Sequence, residues 1–150
     1  MPKADFLAVL RTLAEQGVDF IVVGGVGAVL QGAPVSTFDL DVVHSREAGN
    51  IARLLSALES LVSTDASRLS SLGHQLLMTR FGPLDLWGEI GKSRGYADLA
   101  ASASEIDVGA GVKVRVLNLE TLIAVKEETA GEKDMAMLPI LWRTLQERQR

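Results

Sequence analysis

Two stretches decide the fold: Phe20-Ile21-Val22-Val23-Gly24-Gly25 and, beyond Gly32 and Pro34, Phe38-Asp39-Leu40-Asp41-Val42-Val43. The first is a short apolar run rich in β-branched residues and ended by paired glycines. That pattern predicts a buried strand running into a tight turn. Val26 to Gln31 reads as a short helix closed by Gly32 and Pro34. Phe38 to Val43 reads as a second strand. Residues two apart on a strand share a face, so Asp39 and Asp41 are expected side by side with Leu40 toward the core. Two adjacent carboxylates repel unless a cation or a proton relieves them. Magnesium held by one or two carboxylates plus substrate phosphates is one resolution. Taken alone, the pair also fits an exposed strand edge with solvated charges.

Gly24-Gly25 lies between the strand and the short helix, where backbone amides and the positive helix end can receive phosphate oxygens. Glycine leaves the main chain open to such an approach. A plain strand-to-helix turn is the competing reading. No Gly-Lys-Ser/Thr follows, which excludes a Walker A loop, and no G-x-G-x-x-G dinucleotide fingerprint occurs here. The third candidate is Asp85, in the apolar run Leu84-Asp85-Leu86-Trp87 after Gly82-Pro83. A carboxylate pointing inward from a central strand needs a partner. If that strand lies beside Phe38–Val43, Asp85 joins Asp39 and Asp41. Otherwise it is a surface Asp near a turn. Glu89 is the backup for this position.

Around these segments, Phe6, Leu7, Leu10, Leu13 and Ala14 recur at helical spacing before Gly17, and Ile51, Leu54, Leu55, Leu58 and Leu61 do so between Arg46 and Leu61. Ser63 to Ser71 reads as a loop. Gln75 to Phe81 and Leu84 to Trp87 form a predicted hairpin about Gly82-Pro83. Ser93 to Asp107 fits a weak helix or an irregular connection, and Val112 to Leu117 a half-exposed strand. Asn118 caps a helix over Leu119–Glu128. A last helix from about Glu132 to Gln149 should be kinked or interrupted by Pro139. The expected architecture is one α+β domain, residues 1–150, whose mixed central sheet has helices packed on one face.

Composition bounds the chemistry. With no cysteine and two histidines, His44 and His74, disulfides and thiolate- or histidine-rich metal clusters are out. Neither histidine has a spacing that marks a metal or catalytic pair. Trp87, Trp142 and Tyr96 read as core aromatics before they read as base-stacking ones. A net charge of −4 argues against sequence-independent binding to duplex nucleic acid. No signal peptide or membrane span is read from the chain, so the expected location is cytoplasmic.

The order Val23-Gly24-Gly25, Gly32, Thr37, Asp39, Asp41, then Asp85, resembles the nucleotidyltransferase superfamily with its polymerase beta-like fold. It looks closest to the minimal bacterial branch of AbiEii-like toxin components and lincosamide-type antibiotic nucleotidyltransferases. Leu122-Ile123-Ala124-Val125-Lys126 and Lys133-Asp134 resemble that family's helical segment. The resemblance implies that Asp39, Asp41 and Asp85 hold two magnesium ions (Mg2+) and act in catalysis. It implies that Gly24, Gly25, Thr37, Lys126 and Lys133 bind the NTP, although a solvated helix face also accounts for either lysine. The implied reaction moves a nucleoside monophosphate to a hydroxyl on a small molecule, an RNA end or a protein. The pattern departs from the family at Val35, where many relatives carry arginine, and at Val26, which follows Gly25 without a hydroxyl. Those departures point to a second reading: a catalytically silent domain binding a nucleotide or a partner protein, as in a toxin–antitoxin pair. A homodimer is a further option, and an interaction module with solvated carboxylates is a third reading.

Overall fold

Strand β1 (Phe20–Val23) is buried along its whole length, and the rest of the sheet is arranged around it. The computed structural model describes residues 5–62, 74–129 and 131–149, the side chains of 132–134 excepted. Among these residues a six-stranded mixed sheet runs in the order β3 (His74–Thr79), β4 (Gly82–Trp87), β2 (Leu40–His44), β1, β8 (Lys113–Leu117), β7 (Ala103–Asp107). Strand β2 is antiparallel to β1 and parallel to β4, and β1 is parallel to β8. The short pair β5 (Glu89–Ile90) and β6 (Arg94–Gly95) forms a separate hairpin.

Side-chain alternation splits the core in two. Phe20, Val22, Leu40, Val42, Leu84 and Leu86 pack with helices α1 (Phe6–Glu15) and α3 (Ala48–Leu61) through Leu10, Leu13, Leu54 and Leu58. Ile21, Val23, Val43 and Leu117 pack on the opposite side against α2 (Gly24–Leu30), α5 (Leu119–Thr129) and α6 (Glu132–Arg148) through Ala28, Leu122, Ile123 and Leu141. The expectation of helices on one face is therefore corrected: they cover both. The physical reason was in β1, whose unbroken Phe-Ile-Val-Val run suits a strand buried on both sides. Truncating a core residue such as Leu54, fully buried, to alanine should cost about 2–5 kcal/mol.

Three further differences have local causes. The β3–β4 hairpin turns at Arg80-Phe81, with Thr79 opposite Gly82, so Gly82-Pro83 begins the second strand. The segment 93–107 holds β6, a short helix α4 (Tyr96–Leu99), one 3-10 turn and the edge strand β7. Helix α6 continues through Pro139. Both Pro139 and Met135 are exposed, so water can meet the carbonyl that proline leaves without its amide partner. The predicted loop at Ser63–Ser71 lies outside the described residues. Arg148 Nη1 donates to both Gln31 O (3.0 Å) and Gln31 Oε1 (2.9 Å), tying the end of α6 to α2. Among the described residues no helix is long and apolar enough to cross a membrane.

Candidate functional site

Strands β1 and β2 are antiparallel with Val23 opposite Asp41, so the turn that leaves β1 lies against the start of β2. Gly24 has φ +62°, and a Cβ there would collide with Asp41 Oδ2; a Cβ on Gly25 would come within 2.6 Å of Thr37 Oγ1. The two glycines are thus required by the side chains they adjoin. Gly24 makes room for Asp41, and Gly25 for Thr37. Thr37 Oγ1 in turn donates to Asp39 O at 3.1 Å.

Across β2, Asp41 is the register partner of Asp85 on β4, and the Asp85 carboxylate bears on the protonation of Asp41. Asp39 differs from the expectation. Strand β2 begins at Leu40, and Asp39 lies exposed in the bend before it. It still adds to the negative field at Asp41. Glu89, the alternative third carboxylate, belongs to the separate β5–β6 hairpin and not to the central sheet. Lys126 lines the cleft beside Asp41. Lys133 is in the first turn of α6, and its side chain lies outside the described residues.

Burial pushes the Asp41 carboxyl up to about 6. The indole N–H of Trp87 works against that rise, and the charges of Asp85 and Asp39 add to it, as does the readiness of the Asp85 carboxylate to accept a hydrogen bond from a protonated Asp41. Trp87 Nε1 donates to Asp41 Oδ1 at 3.1 Å. His74 Nε2 donates to Asp85 Oδ1, and the imidazole stacks on the Trp87 indole. Sequence reasoning missed both rings. The signal was the hairpin register: a turn at Arg80-Phe81 sets His74 opposite Trp87, whereas a turn at Gly82-Pro83 does not. His44 is elsewhere in the protein's interior. Its Nδ1 donates to Ser45 O at 3.1 Å, and burial lowers its pKa.

Two clefts meet at Asp41. One, of about 370 Å³, lies between β4 and α5 and is lined by Val23, Trp87, Ile90, Leu122, Val125 and Lys126, among others. The other, of about 570 Å³, lies between residues 34–39 and α6 and includes Gly25, Ser36, Thr37 and Asp39. Among the described residues, no three Asp, Glu or His side chains are gathered closely enough to hold an ion by themselves.

The fold has known relatives. A Thermotoga maritima protein, itself assigned only provisionally as a nucleotidyltransferase, superposes with TM-score 0.63 at 17% identity, over 95% of this chain and 91% of its own. The lincosamide antibiotic adenylyltransferase LnuA, bound to lincomycin, also gives 0.63 at 17% identity, covering 91% of this chain and 93% of LnuA. ANT(2'')-Ia in complex with adenylyl-2''-tobramycin gives 0.60 at 18% identity, over 93% of this chain and 87% of that one. At these identities the likeness establishes a nucleotidyltransferase fold. No curated protein sequence matches the chain. A family profile does so over residues 5–98, a span that runs from the first helix through Gly24, Asp41, His74 and Asp85. With the fold and more than half of its length in agreement, the chain belongs to the aminoglycoside-2''-adenylyltransferase family.

Proposed function

We propose that residues 1–150 form one domain that transfers a nucleoside monophosphate, AMP first among them, from an NTP to an acceptor hydroxyl in a magnesium-dependent reaction. The observation that carries this reading is the Asp41–Asp85 pair, register partners on adjacent strands where two clefts meet. Juxtaposed carboxylates favour a cation, and two of them suit an ion that completes its shell with phosphate oxygens and water, as magnesium does. Asp41 and Asp85 would hold it, and Asp39 would join from its bend when nucleotide binds. Magnesium bound there supplies charge neutralisation of the triphosphate and polarises the phosphorus under attack.

The chain's own groups do the rest. The cleft with Gly25, Ser36 and Thr37 offers amides and hydroxyls to the β- and γ-phosphates. Lys126, on α5 and lining the cleft beside Asp41, would contact the triphosphate, and Lys133, in the first turn of α6, is the second lysine assigned to it. Asp85, held by His74, takes the proton from the acceptor hydroxyl. ATP supply places this activity in the cytoplasm.

The competing reading, a silent nucleotide- or partner-binding domain, is favoured by one observation: Val35 stands where relatives place arginine and packs against the apolar cluster of α5 and α6. Calorimetry of ATP binding with and without magnesium, with labelled AMP transfer over a panel of hydroxyl acceptors, separates them. Binding that needs magnesium, is lost in Asp41→Asn and leads to transfer supports the enzyme. Magnesium-independent binding that survives Asp41→Asn overturns it.

A further inference from the structure

The central sheet ends in two strands that differ as edges. Among the described residues β3 pairs only with β4, and β7 only with β8. Every second residue of an edge strand turns its N–H and C=O outward, a template for another strand unless charge, proline or a bulge blocks it. Strand β7 is blocked, because Ser104, Glu105 and Asp107 are exposed along it. Strand β3 is not. His74-Gln75-Leu76-Leu77-Met78-Thr79 contains no Asp, Glu, Lys, Arg or proline, and it pairs with β4 residue for residue, so no bulge bends it away. It also exposes Leu76 (54%) and Met78 (65%). These two share the sheet face that carries Asp85, since Leu76 is the register partner of Asp85 and Met78 that of Pro83.

We propose that β3 is an interface between two copies of this chain, paired antiparallel about a twofold axis so that their sheets run on as one. Self-complementarity selects this occupant. A twofold axis perpendicular to the sheet keeps the faces of the two copies in common, so residues that meet across it point the same way. With the axis at Leu77, Leu76 of each copy lies opposite Met78 of the other and Gln75 opposite Thr79, and no charged residue lies in the paired stretch. Both exposed apolar side chains are then covered by the same two contacts. An axis at Leu76 would instead set Met78 against His74, whose ring is already stacked on Trp87. Pairing β3 with β7 of another copy is disfavoured twice. It would bring Glu105 and Asp107 against apolar side chains and strip them of water, and a head-to-tail contact leaves a free edge at each end. The twofold pair closes on itself and leaves only the two acidic β7 edges exposed. It also seats Met78 of the second copy beside Leu76, on the strand next to Asp85.

The test is sedimentation velocity of the natural protein over a dilution series, with hydrogen exchange of the β3 amides read at both ends of it. Expected is a monomer–dimer equilibrium with no larger species, and slower exchange at alternate β3 amides in the dimer. Met78→Lys puts a charge on the edge and should weaken dimerisation about tenfold or more, as should Leu76→Glu. The double variant Leu76→Glu/Met78→Lys should recover most of that loss, because the axis at Leu77 sets each new carboxylate opposite a new ammonium. Leu77→Cys gives a second readout, since the chain has no cysteine of its own. Directly opposed residues of antiparallel strands have Cα atoms about 4.5–5.5 Å apart, which suits a disulfide. Oxidation by air and copper phenanthroline should therefore yield a covalent dimer much faster than in Val29→Cys, an exposed site on α2. A monomer at every concentration overturns the proposal: fast β3 exchange would leave the edge to a different partner, and slow exchange would mean that the chain covers it itself. A dimer indifferent to Met78→Lys and Leu76→Glu overturns it, as do an open-ended series of oligomers and a double variant that dimerises no more tightly than either single one.

Discussion

His74 lies flat on Trp87, with ring centroids 3.9 Å apart and planes 17° apart, while each ring holds one carboxylate of the Asp41–Asp85 pair. The two acids are thus oriented by a stacked couple that spans the β3–β4 hairpin. His74 is a positioning residue in this arrangement, because its contact is with Asp85 and not with the reacting atoms. His74→Ala should lower kcat roughly 10–100-fold, as loss of an orienting partner does at metal sites, with KM for ATP nearly unchanged. His74→Gln keeps a donor and should recover part of the loss. Equal loss in both variants, or a change confined to KM, would contradict this role.

Asp41 carries a stability cost that Asp41→Asn should remove. Its native pKa of about 6 exceeds the ordinary aspartate value of 3.8, so between those pH values the folded state binds a proton more tightly than the unfolded chain. Stability from this group is full below pH 3.8 and is lost as pH rises through 6. His44, with its pKa lowered by burial, acts oppositely: its contribution is present above about 6.5 and is lost as pH falls. A single pH profile therefore mixes the two, and the difference between the natural protein and Asp41→Asn isolates Asp41. In metal-free buffer at pH 8 the variant should be more stable by on the order of 2 kcal/mol, converging with the natural protein near pH 4. Urea titrations at both pH values measure this. A variant less stable at pH 8 would refute the burial account.

Gly24 should tolerate no side chain. Alanine at φ +62° costs roughly 1–2 kcal/mol from backbone strain, and its Cβ must displace Asp41. Gly25→Ala has no such φ and displaces Thr37 instead. Both variants should melt lower, but at temperatures where both remain folded Gly24→Ala should lose the larger share of activity. Equal residual activities would mean that displacing Asp41 has no consequence of its own.

Much of this was legible in the chain because alternation and glycine placement are local. Phe20–Val23 and the Leu40–Val43 part of β2 could be read as strands, and Leu84–Trp87 could be set beside them. The hairpin turn could not be placed as well. Gly82-Pro83 is a strong turn signal, yet Arg80-Phe81 makes the turn, and a shift of two residues changes every cross-strand partner of Asp85 and Trp87. That shift concealed His74. Asp39 was misplaced because strand ends depend on pairing, and β1 runs out of partners for β2 at Asp41. Strand β7, Ala-Ser-Glu-Ile-Asp, was missed because an exposed edge strand paired on one side only lacks the apolar alternation that marks a strand in sequence.

Glu128 offers a way to loosen one wall of the cleft between β4 and α5 without touching the carboxylates. Its hydrogen bond with Arg94 holds its carboxyl below the usual range, helped by the Lys92 amide, so the clamp is present at neutral pH and is lost on acidification below about 4.5. Glu128→Gln removes the charge but keeps the shape. Losing the charge-assisted component of these hydrogen bonds should let the Lys92 amide exchange with solvent about tenfold faster, while exchange in β1 stays unchanged. If the hairpin carrying Ile90 and Gly91 forms the acceptor wall, the same variant should raise KM for the acceptor more than KM for ATP. Hydrogen exchange read by NMR and steady-state kinetics address the two parts separately. Faster exchange at Lys92 with both KM values unchanged would leave the clamp in place as a structural feature and remove the hairpin from acceptor recognition.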